Sequence, residues 1–208
     1  MKKQITLFTI SFSALIASTC GGCMSARNFN ELAVSEEKES VDVIPYLELK
    51  NGDSVADLGA GGGYFSIKLA KAVGNTGKVY AVDINPESIA YIRKSVLELN
   101  IHNVEAVLGT YDDSTLSPGS VDLVFIRNAY HDFQNRVKYF ARLKSVLKPG
   151  GRIAVIDYDP AKLGFFRKLI GHALDEKTII EEMNQAGYVR QKGYTVLKQQ
   201  SFNIFKAR

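Results

Sequence analysis

The chain has 208 residues, of which 46% are hydrophobic and 23% charged, and its formal net charge is +4 at neutral pH. That composition suits a folded domain with one sizeable core and excludes a disordered or largely membrane-embedded chain. No lysine or arginine run, repeat or low-complexity block occurs, and leaving out residues 1–23, charged only at Lys2 and Lys3, lowers the net charge to +2; a nucleic-acid partner is therefore not expected.

The first element is an apolar stretch, 5–17, diluted by Thr and Ser and preceded by Met1-Lys2-Lys3. It is shorter than the roughly 20 residues that span a bilayer and has the length of a secretory signal core. Nothing polar along it provides the solvent face of an ordinary surface helix. Residues 1–23 are therefore expected to be an export signal. Cys20 and Cys23 follow this core directly, and the rest of the chain has no cysteine. A Cys-Gly-Gly-Cys pair could be a redox or metal half-site. Its placement fits a bacterial lipoprotein processing site better, one cysteine becoming the lipidated N-terminus that attaches the protein to a membrane. The expected location is then the cell envelope, membrane-anchored or periplasmic. Met24-Ser25-Ala26-Arg27 is also a credible translation start and would give a cytoplasmic form. Residues 24–40, acidic and poor in apolar residues, read as a tether or loose N-terminal cap, and 41–208 as the single folded domain. That domain can have no disulfide, cysteine-based metal site or thiol nucleophile.

From residue 41 on, short apolar runs alternate with amphipathic helical stretches, the pattern of a parallel sheet with crossover helices. Strands are predicted over 54–57, 78–83, 104–108, 121–126 and 152–157, and helices over 64–73, 86–100 and 134–147. Asn85-Pro86-Glu87 is a good helix opening, because Asn can cap and Pro is tolerated at the first helical position. Lys148-Pro149-Gly150-Gly151 reads as a helix stop followed by a turn. The apolar and basic segment 160–172 comes next, with Phe165 and Phe166. A helix over 177–186 and two strand-like runs, 188–197 and 201–206, close the chain.

The most informative stretch joins the first strand to the first helix of this pattern. It reads Asp57-Leu58-Gly59-Ala60-Gly61-Gly62-Gly63-Tyr64, a loop in which glycines let the backbone turn sharply and come close to a ligand. The helix start beyond it should present free N–H groups to that ligand. A dinucleotide fingerprint needs a third glycine where Tyr64 or Ser66 stands, and a phosphate-cradling loop needs Gly-Lys-Ser/Thr, whereas Gly63 is followed by Tyr64-Phe65. The pattern D-x-G-x-G-x-G resembles the first motif of the class I S-adenosylmethionine-dependent methyltransferases, and the resemblance continues through most of the chain.

The resemblance implies an α/β fold, a Rossmann-like doubly wound sheet of seven strands, mostly parallel, with an antiparallel last strand inserted beside the fifth. It implies that Asp57, Gly59, Gly61, Gly63 and Tyr64 hold the methionine part of S-adenosylmethionine. Asp83, 26 residues after Asp57, would accept the ribose hydroxyls, and Ile84 would pack on the adenine. Thr110 or Asp112 would meet the adenine amino group and Tyr111 stack on the ring, with Arg127 also at the cofactor. Asn128, Tyr130 and His131, after the fourth strand, would face the transferred methyl group, His131 as a base for a hydroxyl or carbon acid. No metal is implied.

The Asn/Asp-Pro-Pro-Tyr/Phe tetrapeptide of amino-directed nucleic-acid methyltransferases is absent after the fourth strand, and no thiol remains for arsenite or C5-cytosine chemistry. A small-molecule acceptor is favoured, and the resemblance points to the quinone-biosynthesis and small-molecule members of the family, which often carry a His near the position of His131. Tyr130, Phe133, Phe165 and Phe166 could line its pocket. A non-catalytic S-adenosylmethionine-binding sensor or subunit is the alternative, since fold does not establish activity.

Overall fold

A computed structural model of the chain describes residues 25–38, 41–163 and 173–208. The leader, both cysteines, Met24, Phe165, Phe166 and His172 lie outside the described residues. Seven strands form one sheet: β1 (Ser54–Leu58), β2 (Lys78–Asp83), β3 (Val104–Leu108), β4 (Val121–Arg127), β5 (Leu147–Tyr158), β6 (Tyr188–Tyr194) and β7 (Gln200–Ala207). Their spatial order is β3-β2-β1-β4-β5-β7-β6. All neighbours pair in parallel as far as β5, while β7 runs antiparallel to both β5 and β6. The last strand is thus inserted beside the fifth, as expected. The strand order reverses between β1 and β4, so the carboxyl ends of β1, β2, β4 and β5 open on one crevice, where ligands of such sheets sit.

Helices α2 (Tyr64–Val73) and α3 (Pro86–Glu98) cover one face, and α4 (Arg136–Leu143) and α5 (Glu176–Gln185) the other. Period-two alternation along β4 explains both contacts. Leu123 and Phe125 pack with Phe65, Leu69 and Val73 of α2, whereas Val124 and Ile126 pack with Tyr139, Phe140 and Leu143 of α4. A strand buried on both faces needs the continuous apolar run seen here. The edge strand β6 is exposed over Val189 to Gly193 and carries Arg190 and Lys192, charges that discourage pairing with another sheet.

The α3 opening is built as its sequence suggests: Asn85 Oδ1 accepts the N–H of Glu87 at 2.8 Å, with Pro86 at the first helical position. Two expectations change. The stretch 134–147 is not one helix, because α4 ends at Leu143 and a tight turn follows, in which Ser145 N–H donates to Arg142 O and Val146 N–H to Leu143 O. The carbonyls of Ser145 and Val146 are then taken by Gly119 and Ser120 N–H. Nor is 148–151 a turn between elements. It lies inside β5 as a bulge, where Val121 pairs with Leu147 and Leu123 with Arg152, the extra residues being accommodated without ending the strand.

Helix α1 (Ala26–Lys38) precedes the domain. Ala26 is buried, and Asn30 Oδ1 accepts the N–H of Tyr64 at 3.0 Å. Residues expected to form a tether or loose cap therefore contain a helix seated on the start of α2.

Candidate functional site

The glycine loop leaves the carboxyl end of β1 and returns as α2. Gly59 adopts φ +75°, and a Cβ there would stand 2.5 Å from Ala129 Cβ; this close approach of the β1 and β4 loops admits no side chain. The expected free N–H groups are otherwise engaged. Gly59 and Ala60 donate to Val82 O at 2.9 and 3.1 Å, Gly63 to Ala60 O at 2.8 Å, Gly61 to Asp83 Oδ2 at 2.8 Å and Tyr64 to Asn30. The loop is thus a pre-formed surface, stiffened from below, rather than a ring of waiting donors.

Two acidic residues flank this surface. Asp57 is 3% exposed and accepts the Ser66 hydroxyl at 2.6 Å. Burial pushes its carboxyl up to about 7, against the Ser66 hydrogen bond and helped by the nearby charge of Asp83. Asp83, at the end of β2, holds the N–H of Gly61 with one oxygen and that of Asn85 with the other, at 2.8 and 2.9 Å. Burial raises its pKa, while those N–H donors oppose the shift. Beyond Asp83, Ile84, Leu108 and Tyr111 are 45%, 47% and 60% exposed, an apolar rim at the ends of β2 and β3. The Thr110 hydroxyl is engaged within its own loop, where it accepts the N–H groups of Asp112 and Asp113, at 3.3 and 3.0 Å.

Across the crevice, β4 ends in Arg127, and Asn128 and Ala129 lead into a short 3-10 turn, Tyr130–Asp132. His131 is held from two sides by Asp157, the penultimate residue of β5. Its backbone N–H donates to Oδ2 at 2.9 Å, and Nδ1 lies 2.8 Å from Oδ1. A carboxylate only accepts, so Nδ1 carries a proton in either ionisation state, and Nε2 is an acceptor in the neutral ring and a donor in the imidazolium. Nε2 faces Asp132 Oδ1 at 3.5 Å. Burial alone would lower the imidazole pKa, but the hydrogen bond and charge of Asp157, with Asp132 adding and Arg136 opposing, raise it above the usual histidine value.

The other residues predicted around His131 have different duties. Tyr130 is fully buried, stacks on Phe140 with centroids 4.9 Å apart, and donates its hydroxyl to Glu182 Oε2 at 3.1 Å. Burial raises the phenol pKa further. It is therefore a core residue and not a group facing an acceptor, because no part of it reaches the crevice. The Arg127 side chain is likewise buried, its guanidinium 4.5 Å from the centre of the Phe65 ring, a cation–π packing contact. Asn128 has φ +54° and accepts from Gln200 Nε2 at the start of β7, so its amide oxygen ties two strand ends together. Phe133 packs on Tyr139 and Phe140.

Sequence reasoning missed Asp157, although it closes a predicted strand. Only the pairing of Arg127 with Ile156 places it beside the segment after β4. It also missed the clamp under His131: Arg136 is bidentate to Glu182, at 2.7 and 2.9 Å, and donates to the carbonyls of His131 and Phe133. Among the described residues no group of three or more metal-ligating side chains converges.

A family model described as a methyltransferase domain matches residues 49–201. The arsenite methyltransferase of Halobacterium salinarum is 34% identical over 106 residues, 51% of this chain and 27% of that protein. The ubiquinone/menaquinone biosynthesis C-methyltransferase of Psychromonas ingrahamii is 31% identical over 111 residues, 53% of this chain and 44% of that one. The match thus spans less than half the length of either of these curated relatives. A crystal structure of a SAM-dependent methyltransferase from Aquifex aeolicus superposes with a TM-score of 0.78 at 26% identity, covering 88% of this chain and 98% of that one. With its motif, strand order and crevice in agreement with these matches, the chain belongs to the class I S-adenosylmethionine-dependent methyltransferase family.

Proposed function

We propose that the protein transfers a methyl group from S-adenosylmethionine to a small-molecule acceptor bearing an ionisable hydroxyl, of the hydroquinone or phenol class. The observation that carries this reading is the pairing across one crevice of a glycine loop bound to Asp83 with a His131–Asp157 dyad. The cofactor, when bound, supplies a methyl group already activated on a sulfonium. The protein's part is to bind, align and deprotonate. Asp83 can take the ribose hydroxyls, the backbone of Gly59 to Gly61 can approach the methionine part closely, and Ile84, Leu108 and Tyr111 offer apolar surface to the base. Burial holds the carboxyls of Asp57 and Asp83 toward their neutral forms, and a cationic ligand beside them would favour the ionised ones.

At the acceptor, His131 receives the hydroxyl proton on Nε2 while Asp157 holds Nδ1–H and stabilises the imidazolium that forms. The acceptor class draws on the quinone methyltransferases among the relatives. The absence of cysteine beyond residue 23 removes the soft thiolate ligands suited to arsenic. Incubation with labelled S-adenosylmethionine and a panel of demethylated hydroquinones and simple phenols tests the reading. Labelled product is expected with wild type and loss of most turnover with His131→Ala. Retention of the cofactor with no methyl transfer to any member of the panel would instead favour a binding module. We further propose that the mature protein is attached to the cell envelope through a lipidated cysteine, on the strength of the cationic start, the apolar core and Cys20 and Cys23.

A further inference from the structure

Helix α1 lies against the same glycine loop that borders the cofactor crevice. Asn30 Oδ1 accepts the first N–H of α2, that of Tyr64, at 3.0 Å. Gly62 has no room for a side chain, because a Cβ would stand 2.3 Å from both the Ala26 carbonyl oxygen and Asn30 Oδ1. At Gly61 the nearest neighbour of a Cβ would be Phe29 Cβ at 3.2 Å, and the N–H of Gly61 is held by Asp83. Phe29 therefore stands over the stretch of loop that is tied to the ribose-side carboxylate. Ala26 is buried in this seat, yet Phe29 and Leu32, three residues apart and so on one side of the helix, keep 39% and 41% of their surface in solvent. The apolar rim of Ile84, at 45%, lies just past Asp83.

We propose that α1 is a reversible lid on the cofactor crevice, latched by the Asn30 amide on the first turn of α2, whose opening sets how fast cofactor and product exchange. The proposal rests on the S-adenosylmethionine reading of that crevice. A short helix seated through the buried Ala26, the partly buried Ala33 and a side-chain cap can open without unfolding the sheet. A ligand between the loop and α1 covers Phe29 and Leu32 and holds the helix down; by linkage, the same contacts slow the ligand's departure.

The chain contains no tryptophan, so Phe29→Trp installs a single fluorescent reporter on the lid. In the full-length protein, S-adenosylhomocysteine is expected to change its emission. Asn30→Ala removes the latch, and Gly62→Ala pushes α1 off its seat by steric conflict with the helix backbone. Each, in the reporter background, is expected to speed S-adenosylhomocysteine dissociation about tenfold in stopped flow, the worth of one net hydrogen bond, with little change in thermal midpoint. Amide exchange at Tyr64 should accelerate in Asn30→Ala. Dissociation unchanged in both variants, with S-adenosylhomocysteine still binding, overturns the lid and leaves the cofactor assignment standing. Failure of the wild type to bind S-adenosylhomocysteine by calorimetry overturns both.

Discussion

A carboxyl group buried as deeply as that of Asp57 is held against its charged form, and its pKa of about 7 compares with 3.8 for an ordinary aspartate. Between those values the folded protein keeps a proton that the unfolded chain has released. Stability from this group is therefore greatest at low pH, falls as pH rises from 3.8 to about 7, and is level above that. Asp57→Asn can still accept from Ser66 and does not ionise. Its advantage in unfolding free energy over wild type should grow through this window to as much as about 4 kcal/mol at alkaline pH. Urea titrations at pH 5 and pH 8 measure it, and an equal gap at both would contradict the assignment. His131 has the opposite chemistry. Its raised pKa means that the neutral base appears only above the usual histidine range, so turnover should rise with pH through a value above 6.5. Asp157→Asn removes the charge that raises it and should move that limb to lower pH while reducing turnover; an unmoved limb would show that another group titrates. For Asp83→Ala, calorimetry with S-adenosylhomocysteine should show a loss of about 10- to 100-fold in affinity, the range for hydrogen bonds to a charged acceptor.

At the level of elements, the crevice is held by contacts between helices that do not line it. Arg136 of α4 grips Glu182 of α5 with two hydrogen bonds, and Glu182 also receives the Tyr130 hydroxyl. The same guanidinium reaches the carbonyls of His131 and Phe133, so the turn carrying His131 is fastened to the packing of α4 on α5. Both partners of the pair are mostly covered, with side-chain exposures of 24% and 19%. Removing one therefore leaves a poorly solvated charge behind. Arg136→Met should cost about 2 to 3 kcal/mol in stability and lower turnover further than that loss explains, whereas the double variant Arg136→Met with Glu182→Gln should recover stability but not turnover. Chemical denaturation and initial rates separate the two effects. The bulge of β5 has a related meaning: it lets a strand of 12 residues absorb Pro149 and two glycines at its far end while Asp157 stays in register opposite Ser201.

For the whole molecule, the sheet order brings residues 100 positions apart, Asp57 and Asp157, to one rim. The envelope proposal belongs to this scale too. The intact mass of the protein isolated from its native membranes should correspond to a diacylated or triacylated chain beginning at Cys20 or Cys23; a mass beginning at Met24 would place the enzyme in the cytoplasm. The glycine loop, the acidic ends of the first two strands and the strand segments themselves were legible in the sequence because each is a local signal: apolar period, strand length and turn chemistry; their assembly into one seven-stranded sheet was an implication of the resemblance. His131 was legible only as a residue type after a strand. Its partner Asp157, the clamp from Arg136 to Glu182 and the Asn30 cap of α2 depend on segments meeting across the fold, which no local pattern records. Tyr130 and Arg127 show the converse. Their chemistry and position suggested a role in the crevice, and the tertiary structure turned both into the core. Arg127 ends a strand and Tyr130 opens a 3-10 turn, and in neither place does position along the chain say whether the side chain faces the crevice or the core; packing decides it. The sequence alone determined the alternation of strands and helices and the glycine loop between the first strand and helix, because backbone geometry and hydrophobic period act over short distances; the inserted antiparallel strand and a cofactor role for Asp83 came from the family resemblance. Which side chains surround His131 was decided by long-range packing, where burial and hydrogen bonding between distant elements settle the orientation of each group.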